Sequence, residues 1–95
     1  MQLLAICRRR TEAFGPEAFE ALLDAEAESV RNLYAGGFIR YAWSRDDVDG
    51  ACMLLEASSD DDALKQLRVL PLIAHDMLEV QLIPLRGYRG FGPRT

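Results

Sequence analysis

The sequence predicts an α+β fold in which two helices cover one face of a four-stranded antiparallel sheet. Short apolar and aromatic segments alternate with two longer helical segments, and the connections between them are short. The 95 residues, 49% hydrophobic and 27% charged, suit one small domain. In chain order the predicted elements are strand 3–7, helix 16–35, strands 38–44 and 51–57, a helix starting at Ser59 and ending before Pro71, and strand 77–83.

Local signals set the ends of the first three elements. Pro16 suits the first turn of a helix, and the Gly36-Gly37 pair ends the helical segment. The aromatic strand that follows is separated from the next apolar strand by a polar turn containing Asp49-Gly50. This arrangement predicts a β-hairpin.

The second helix begins with strong capping signals. Ser59 can cap it, and three aspartates, 60–62, lie near the positive end of its dipole. Pro84 is predicted to end the last strand, so the folded domain covers residues 1–83. The order β-α-β-β-α-β is that of a ferredoxin-like fold.

Neither face of the predicted hairpin is purely polar. Strict alternation places Ile39, Tyr41 and Trp43 on one side and Phe38, Arg40 and Ala42 on the other. We therefore expect a partner sheet on the face without helices, and the simplest partner is a second copy of the chain.

The C-terminal segment, residues 84–95, is too rich in Gly and Pro for a regular helix or strand. Its two aromatic residues, Tyr88 and Phe91, favour an arm docked on a neighbouring subunit. A disordered end and an Arg-Gly-rich RNA-binding tail are the alternatives.

Composition excludes several classes of function. The net charge of −4 disfavours nucleic acid as the main partner. The chain lacks an apolar run of membrane-spanning length, and its charges follow its first apolar residues, unlike a secretory signal. Two cysteines, Cys7 and Cys52, predict free thiols in the reducing cytoplasm.

Glu26 is the most informative residue. On a helical projection it lies at the centre of the apolar stripe of the first helix, whereas the other acidic residues there face outward. The residues within about 60° of it are Phe19, Leu22, Leu23, Val30 and Leu33. A carboxylate in that position is either a general base of raised pKa in a cavity, a structural partner of Arg40, or a group reaching water at the helix edge.

Five further residues are candidates for substrate binding. Arg40 could hold a carboxylate, Tyr41 and Trp43 could contact a ring, and His75 or Tyr41 could donate to an oxyanion. Glu79 interrupts an apolar strand and is either a second buried carboxylate or an outward-facing residue of an alternating strand. His75 is the single histidine, and no residue spacing indicates a metal site.

Three short motifs occur in a recognisable order. They are Gly37-x-x-Arg40-x-x-Trp43, Leu70-Pro71-Leu72 and Met77-Leu78-Glu79-Val80, and Glu26 and Glu28 precede them at a matching distance. Over most of residues 1–85, this pattern resembles the muconolactone isomerase-like family. The resemblance implies subunits that pair sheet to sheet into a dimeric α/β barrel. It also implies a cofactor-free isomerase of bacterial aromatic degradation that moves a double bond within an unsaturated lactone.

Three functions are compatible with the sequence. In the first, Glu26 transfers the proton of a small lactone or related acid and Arg40 anchors the substrate carboxylate. The second is a cofactor-free monooxygenase of the same barrel type, with Trp43, Tyr41 and Tyr34 lining its pocket. The third is a non-catalytic small-molecule-binding or assembly protein.

Overall fold

The computed structural model describes residues 1–92 and has the predicted order of strands and helices, with two additional breaks. The four strands are β1 (Gln2–Arg9), β2 (Ile39–Ser44), β3 (Gly50–Glu56) and β4 (Leu78–Leu85). The helices are α1 (Pro16–Glu20), α2 (Leu23–Ala35), α3 (Asp60–Leu67) and α4 (Pro71–Ala74), followed by a 3-10 turn at Arg89–Phe91.

All strand pairs are antiparallel, and the order across the sheet is β2-β3-β1-β4. The first and third strands are therefore central, and the second and fourth are edges. This topology confirms the predicted ferredoxin-like α+β fold.

Alternation along the central strands divides the sheet into two faces. Leu3, Ala5 and Cys7 of β1 pair with Leu55, Met53 and Ala51 of β3 on the face covered by helices. The opposite face carries mainly half-buried or exposed apolar side chains, and we call it the open face. Its apolar members are Leu4, Ile6, Tyr41, Trp43, Cys52, Leu54, Ile83 and Leu85.

The predicted alternation of β2 is wrong because the strand contains a bulge at Arg40. Ile39 pairs with the buried Leu55, but Tyr41 pairs with Leu54, so Arg40 is an extra residue. The bulge shifts the register by one. Ile39 consequently packs in the core, whereas Tyr41 and Trp43 lie together on the open face.

The predicted helix 16–35 is divided in two at Ala21 and Leu22. Phe19 at the end of α1 is buried in a small cluster with Leu72 and Met77, while Val30 and Leu33 of α2 pack against the main core. Because one straight helix would carry a single stripe, the break lets the two halves pack against different clusters. It also places Glu26 in the first turn of α2.

The second helical segment agrees with its predicted cap. Ser59 Oγ accepts a hydrogen bond from the Asp62 N–H at 3.0 Å. The segment then breaks before Pro71, which begins α4 as a separate short helix.

The last strand continues beyond its predicted end at Pro84. Pro84 pairs with Leu3, and the strand ends at Leu85. A residue without an N–H is tolerated because β4 is an edge strand with a neighbour on one side only. Within residues 1–92, no helix is long and apolar enough to cross a membrane.

Candidate active site

A cavity of about 400 Å³ lies between α2 and the helix-covered face of the sheet. The five lining residues of α2 recur at helical spacing on one side of the helix, and the sheet contributes the end of β2 and the start of β3. The lining residues are Arg9, Leu23, Glu26, Ala27, Val30, Arg31, Ala42, Trp43, Ser44, Gly50, Ala51, Met53, Leu72 and Leu78. The volume is within the range of about 300–1,000 Å³ typical of small-molecule sites.

Glu26 enters this cavity from the first turn of α2, as its position in the apolar stripe predicts. Its Oε1 accepts a hydrogen bond from the backbone N–H of Leu72 at 2.9 Å. Leu72 is only 4% exposed and lies in the first turn of α4. The carboxylate therefore ties the two helices together at the cavity wall.

Burial raises the pKa of Glu26 above its ordinary value, against the opposing effects of the Leu72 N–H and the positive charge of Arg9. A carboxylate with a raised pKa is a better proton acceptor than one in water. Among residues 1–92, its second oxygen, Oε2, has no hydrogen-bond partner. That oxygen is available to take up a proton.

Two arginines, Arg9 and Arg31, provide positive charge at the cavity. The neighbours of Arg9 are already engaged: Arg8 pairs with Glu12 and Glu79, and Arg10 with Asp76. Within the described part of the chain, neither cavity arginine takes part in an ion pair. Arg9 instead lies over the ring of Phe19, with its Cζ 5.3 Å from the ring centroid.

Sequence reasoning missed Arg9, although the signal was present. The predicted first strand ended at Cys7, but the observed strand continues to Arg9. Since residues 3, 5 and 7 face the helices, extending the strand by two residues places Arg9 on the same face. The cation near Glu26 thus comes from the first strand and not from the second.

Arg40, the expected anchor, is exposed at the bulge and is absent from the lining of the cavity. Of the three alternatives for Glu26, the structural pairing with Arg40 is wrong, because the carboxylate accepts its hydrogen bond from the backbone N–H of Leu72. Trp43 is a lining residue of the cavity at the end of β2, but its ring lies on the open face, where it packs against Tyr41 at a centroid distance of 4.8 Å.

The other two candidates lie outside the cavity. His75 is the exposed C-cap of α4, and Glu79 is an exposed residue whose carboxylate forms an ion pair with Arg8 at 3.1 Å. Glu79 is therefore not a second buried carboxylate. A substrate-binding role for either residue stays a prediction that its position does not support.

Cys7 lies in the core near the cavity. Burial, followed by the nearby Cys52 and Glu26, raises the pKa of its thiol to about 12. A thiol with that pKa stays protonated at neutral pH, so Cys7 packs as a small apolar side chain. Within residues 1–92, no group of three or more His, Cys, Asp or Glu side chains is placed to hold a metal ion.

No family model and no curated protein sequence matches the chain. Among solved structures, it is similar to 5-chloro-2-hydroxyhydroquinone dehydrochlorinase (TftG) from Burkholderia phenoliruptrix AC1100, in complex with 2,5-dihydroxybenzoquinone. The TM-score is 0.69 at 15% sequence identity, over 95% of this chain and 98% of the other. At this identity the likeness shows a shared fold, and it agrees with the ferredoxin-like topology described above.

Proposed function

We propose that this protein is a cofactor-free enzyme that shifts a double bond in a small unsaturated lactone or related acid by proton transfer. The observation that carries the proposal is Glu26, a carboxylate of raised pKa in the wall of a cavity of ligand size. The resemblance of the chain to muconolactone isomerase-like proteins supports the same reaction type.

In the proposed reaction, Oε2 of Glu26 removes a proton from the saturated ring carbon next to the lactone oxygen, which the C=C bond separates from the carbonyl. The C–H electron pair moves into the ring, and negative charge collects on the carbonyl oxygen as a dienolate. Glu26, now protonated, returns the proton two carbons away, and the carbonyl and the shifted double bond form. Substrate and product are isomers, so the step needs no oxidant or reductant.

The dienolate requires positive charge or a hydrogen-bond donor near its oxygen. Arg9 and Arg31 are the arginines that line the cavity, and they replace His75 and Tyr41 as candidates for this role and Arg40 as the candidate anchor of a substrate carboxylate. The guanidinium group is also suited to binding a substrate carboxylate through two parallel hydrogen bonds.

The similar structure supports a small ring as ligand. That protein is a dehydrochlorinase of a hydroxylated aromatic ring, bound there to a dihydroxybenzoquinone. Such a ring is planar and oxygenated, as is the dienolate of a lactone. The common requirement is a cavity that accepts a flat ring and stabilises charge on its oxygens.

We also propose that two copies pair through the open face, as the sequence analysis expected. Within residues 1–92, eight apolar side chains lie on this face without a helix above them, and a large exposed apolar patch favours association.

We further propose that the C-terminal segment is an arm that docks on a neighbouring subunit. Tyr88 is 70% and Phe91 88% exposed, and their rings pack on each other at 5.0 Å. Residues 93–95 of the predicted arm lie outside the described residues.

We also propose a cytoplasmic location, and the argument for it is the redox state of the two cysteines. Cys7 and Cys52 are both free thiols. Cys7 of β1 pairs with Ala51 of β3, and Cys52 is the next residue of β3, so the two thiols lie on opposite faces of the sheet. A reducing compartment keeps such thiols free.

The test is proton exchange on a butenolide with a carboxymethyl side chain in D2O, followed by NMR. Glu26→Gln keeps the shape of the side chain and its bond to Leu72 but removes the base, so we expect exchange and isomerisation to fall by about 10²–10⁴-fold. Glu28→Gln is the matched control, since Glu28 is an exposed residue of the same helix outside the cavity lining.

Equal exchange rates in the Glu26→Gln variant and the wild-type protein would contradict the proposal. Binding of the lactone without any exchange in the wild-type protein would favour the non-catalytic alternative. Oxygen consumption with a hydroquinone would favour the monooxygenase. The positions of Tyr34 and Tyr41 do not support that last outcome, because neither residue lines the cavity.

A further inference from the structure

A second cavity of about 390 Å³ adjoins the first one. It lies between the end of β1, the loop that follows and α1, and it has an aromatic wall formed by Phe14 and Phe19. The lining residues are Arg9, Thr11, Phe14, Gly15, Pro16, Phe19, Glu20, Leu23 and Asp49. None of the proposed steps at Glu26 uses this space.

The two cavities share Arg9 and Leu23 as a common wall. Leu23 is 36% exposed and is not part of the buried core. In residues 1–92 the guanidinium of Arg9 is without a hydrogen bond or ion pair, and its described contact is the face of Phe19. A partly exposed leucine and an arginine without an ion pair therefore separate the two cavities. Both side chains are suited to contact a ligand that occupies both cavities.

We propose that the two cavities form one two-part binding site for an anion that carries two ring-sized groups, with its charge at Arg9. This inference rests on the proposed function, since it places the reacting ring beside Glu26 and assigns the second group to the second cavity. The preferred substrate is then larger than a single-ring lactone acid.

The chemistry of the second cavity indicates which group it takes. Phe14 and Phe19 meet edge to face with centroids 6.2 Å apart. Phe19 is only 2% exposed, so the half-buried ring of Phe14 provides the surface for a further aromatic contact. The exposed acidic residues Glu20 and Asp49 also line this cavity. These would repel a second anion, so the second group is neutral and flat.

A matched ligand pair tests this arrangement. Phenylacetate and diphenylacetate differ by one phenyl ring, and in diphenylacetate the carboxylate lies between the two rings. We expect calorimetry to show that diphenylacetate binds the wild-type protein at least about tenfold more tightly, because the second ring is removed from water. NMR should show contacts between its ring protons and those of Phe14.

A variant that fills only the second cavity separates the two parts of the site. Thr11 is exposed and lines the second cavity but not the first, so Thr11→Trp should abolish the preference for diphenylacetate over phenylacetate. Val69→Trp is the control, because Val69 is exposed and lines neither cavity.

Equal affinity of the wild-type protein for the two acids, or the absence of contacts to Phe14, would overturn the inference. These readings use the wild-type protein and do not depend on whether Thr11→Trp folds. They are also independent of the exchange experiment. A preference for diphenylacetate together with Glu26-independent exchange refutes the proposed reaction alone, and Glu26-dependent exchange without the preference refutes the two-part site alone.

Discussion

At the scale of single residues, the proposed reaction depends on Glu26, because burial disfavours the ionised form of its carboxyl group. Burial raises its pKa, while the Leu72 N–H and Arg9 compensate in part. A group held for stability alone would be expected to have its ionised form fully compensated by its partners. The incomplete compensation is what makes this carboxyl group suitable as a base.

The pH dependence of stability should reveal this cost. Because the pKa of Glu26 is raised above 4.5 on folding, the stability it contributes is present below that value and is lost as pH rises through the folded pKa. The Glu26→Gln variant has no carboxyl group to ionise at this position, so it does not lose this stability as the pH rises. We expect its stability relative to the wild-type protein to be greater at about pH 7 than at about pH 4, measured by urea denaturation.

Glu26→Ala is the comparison that isolates the hydrogen bond. It leaves the buried Leu72 N–H without its acceptor and should be less stable than Glu26→Gln by about 1–3 kcal/mol. A Glu26→Gln variant whose advantage did not change between the two pH values would contradict the raised pKa.

Glu26 could be predicted from the sequence because a charge in an apolar stripe is visible on a helical projection. The groups that lie near its carboxylate in the structure could not be predicted. Leu72 contributes a backbone N–H, which no residue pattern marks, and Arg9 reaches the cavity only because β1 runs further than its apolar residues indicate. Arg40 was a reasonable candidate by residue type, but its position depended on the register of its strand.

At the scale of secondary-structure elements, the departures from prediction follow from local irregularities that depend on tertiary packing. The bulge at Arg40 and the break at Ala21–Leu22 each change which face a side chain occupies. Neither contains a glycine or proline that would signal it. By contrast, the Ser59 cap and the start of the first helix at Pro16 depend on local chemistry and were predicted correctly.

These two irregularities shape the cavity. The break allows α1 to pack Phe19 against Leu72 and Met77 while α2 turns Glu26 toward the sheet. The bulge brings Ala42 and Ser44, which have small side chains, to the cavity wall and moves the larger Tyr41 to the open face. The space beside Glu26 thus results from the helix break and the strand bulge, the two features that the sequence pattern did not predict.

At the scale of the whole molecule, the order of elements and the antiparallel pairing were predictable because they depend on the sequence of apolar segments. A 95-residue chain buries a limited fraction of its surface, and within residues 1–92 no helix covers one face of the sheet. Association through that face would complete a second apolar layer.

A charge on the open face should prevent pairing. Leu54 is half-buried at the centre of this face, on β3, so Leu54→Lys would place an ammonium group between the two sheets. We expect light scattering to show about twice the 10.7 kDa chain mass for the wild-type protein and a single chain for Leu54→Lys. Val69→Lys, at an exposed apolar residue away from the sheet, should behave as the wild-type protein does.

A wild-type protein that remains a monomer at micromolar concentration would refute the pairing. It would leave the hydrogen bond between Glu26 and Leu72 unaffected, because both residues belong to the same chain.

The most direct test of the central claim is an NMR titration of the Glu26 side-chain carboxyl carbon, assigned by its loss in Glu26→Gln. We predict that this carboxyl group titrates above 4.5, because burial raises its pKa. Binding of an anionic ligand to the cavity should shift the Glu26 titration. A Glu26 carboxyl that titrates at or below 4.5 and does not respond to the ligand would contradict the claim that this residue is the base of the site.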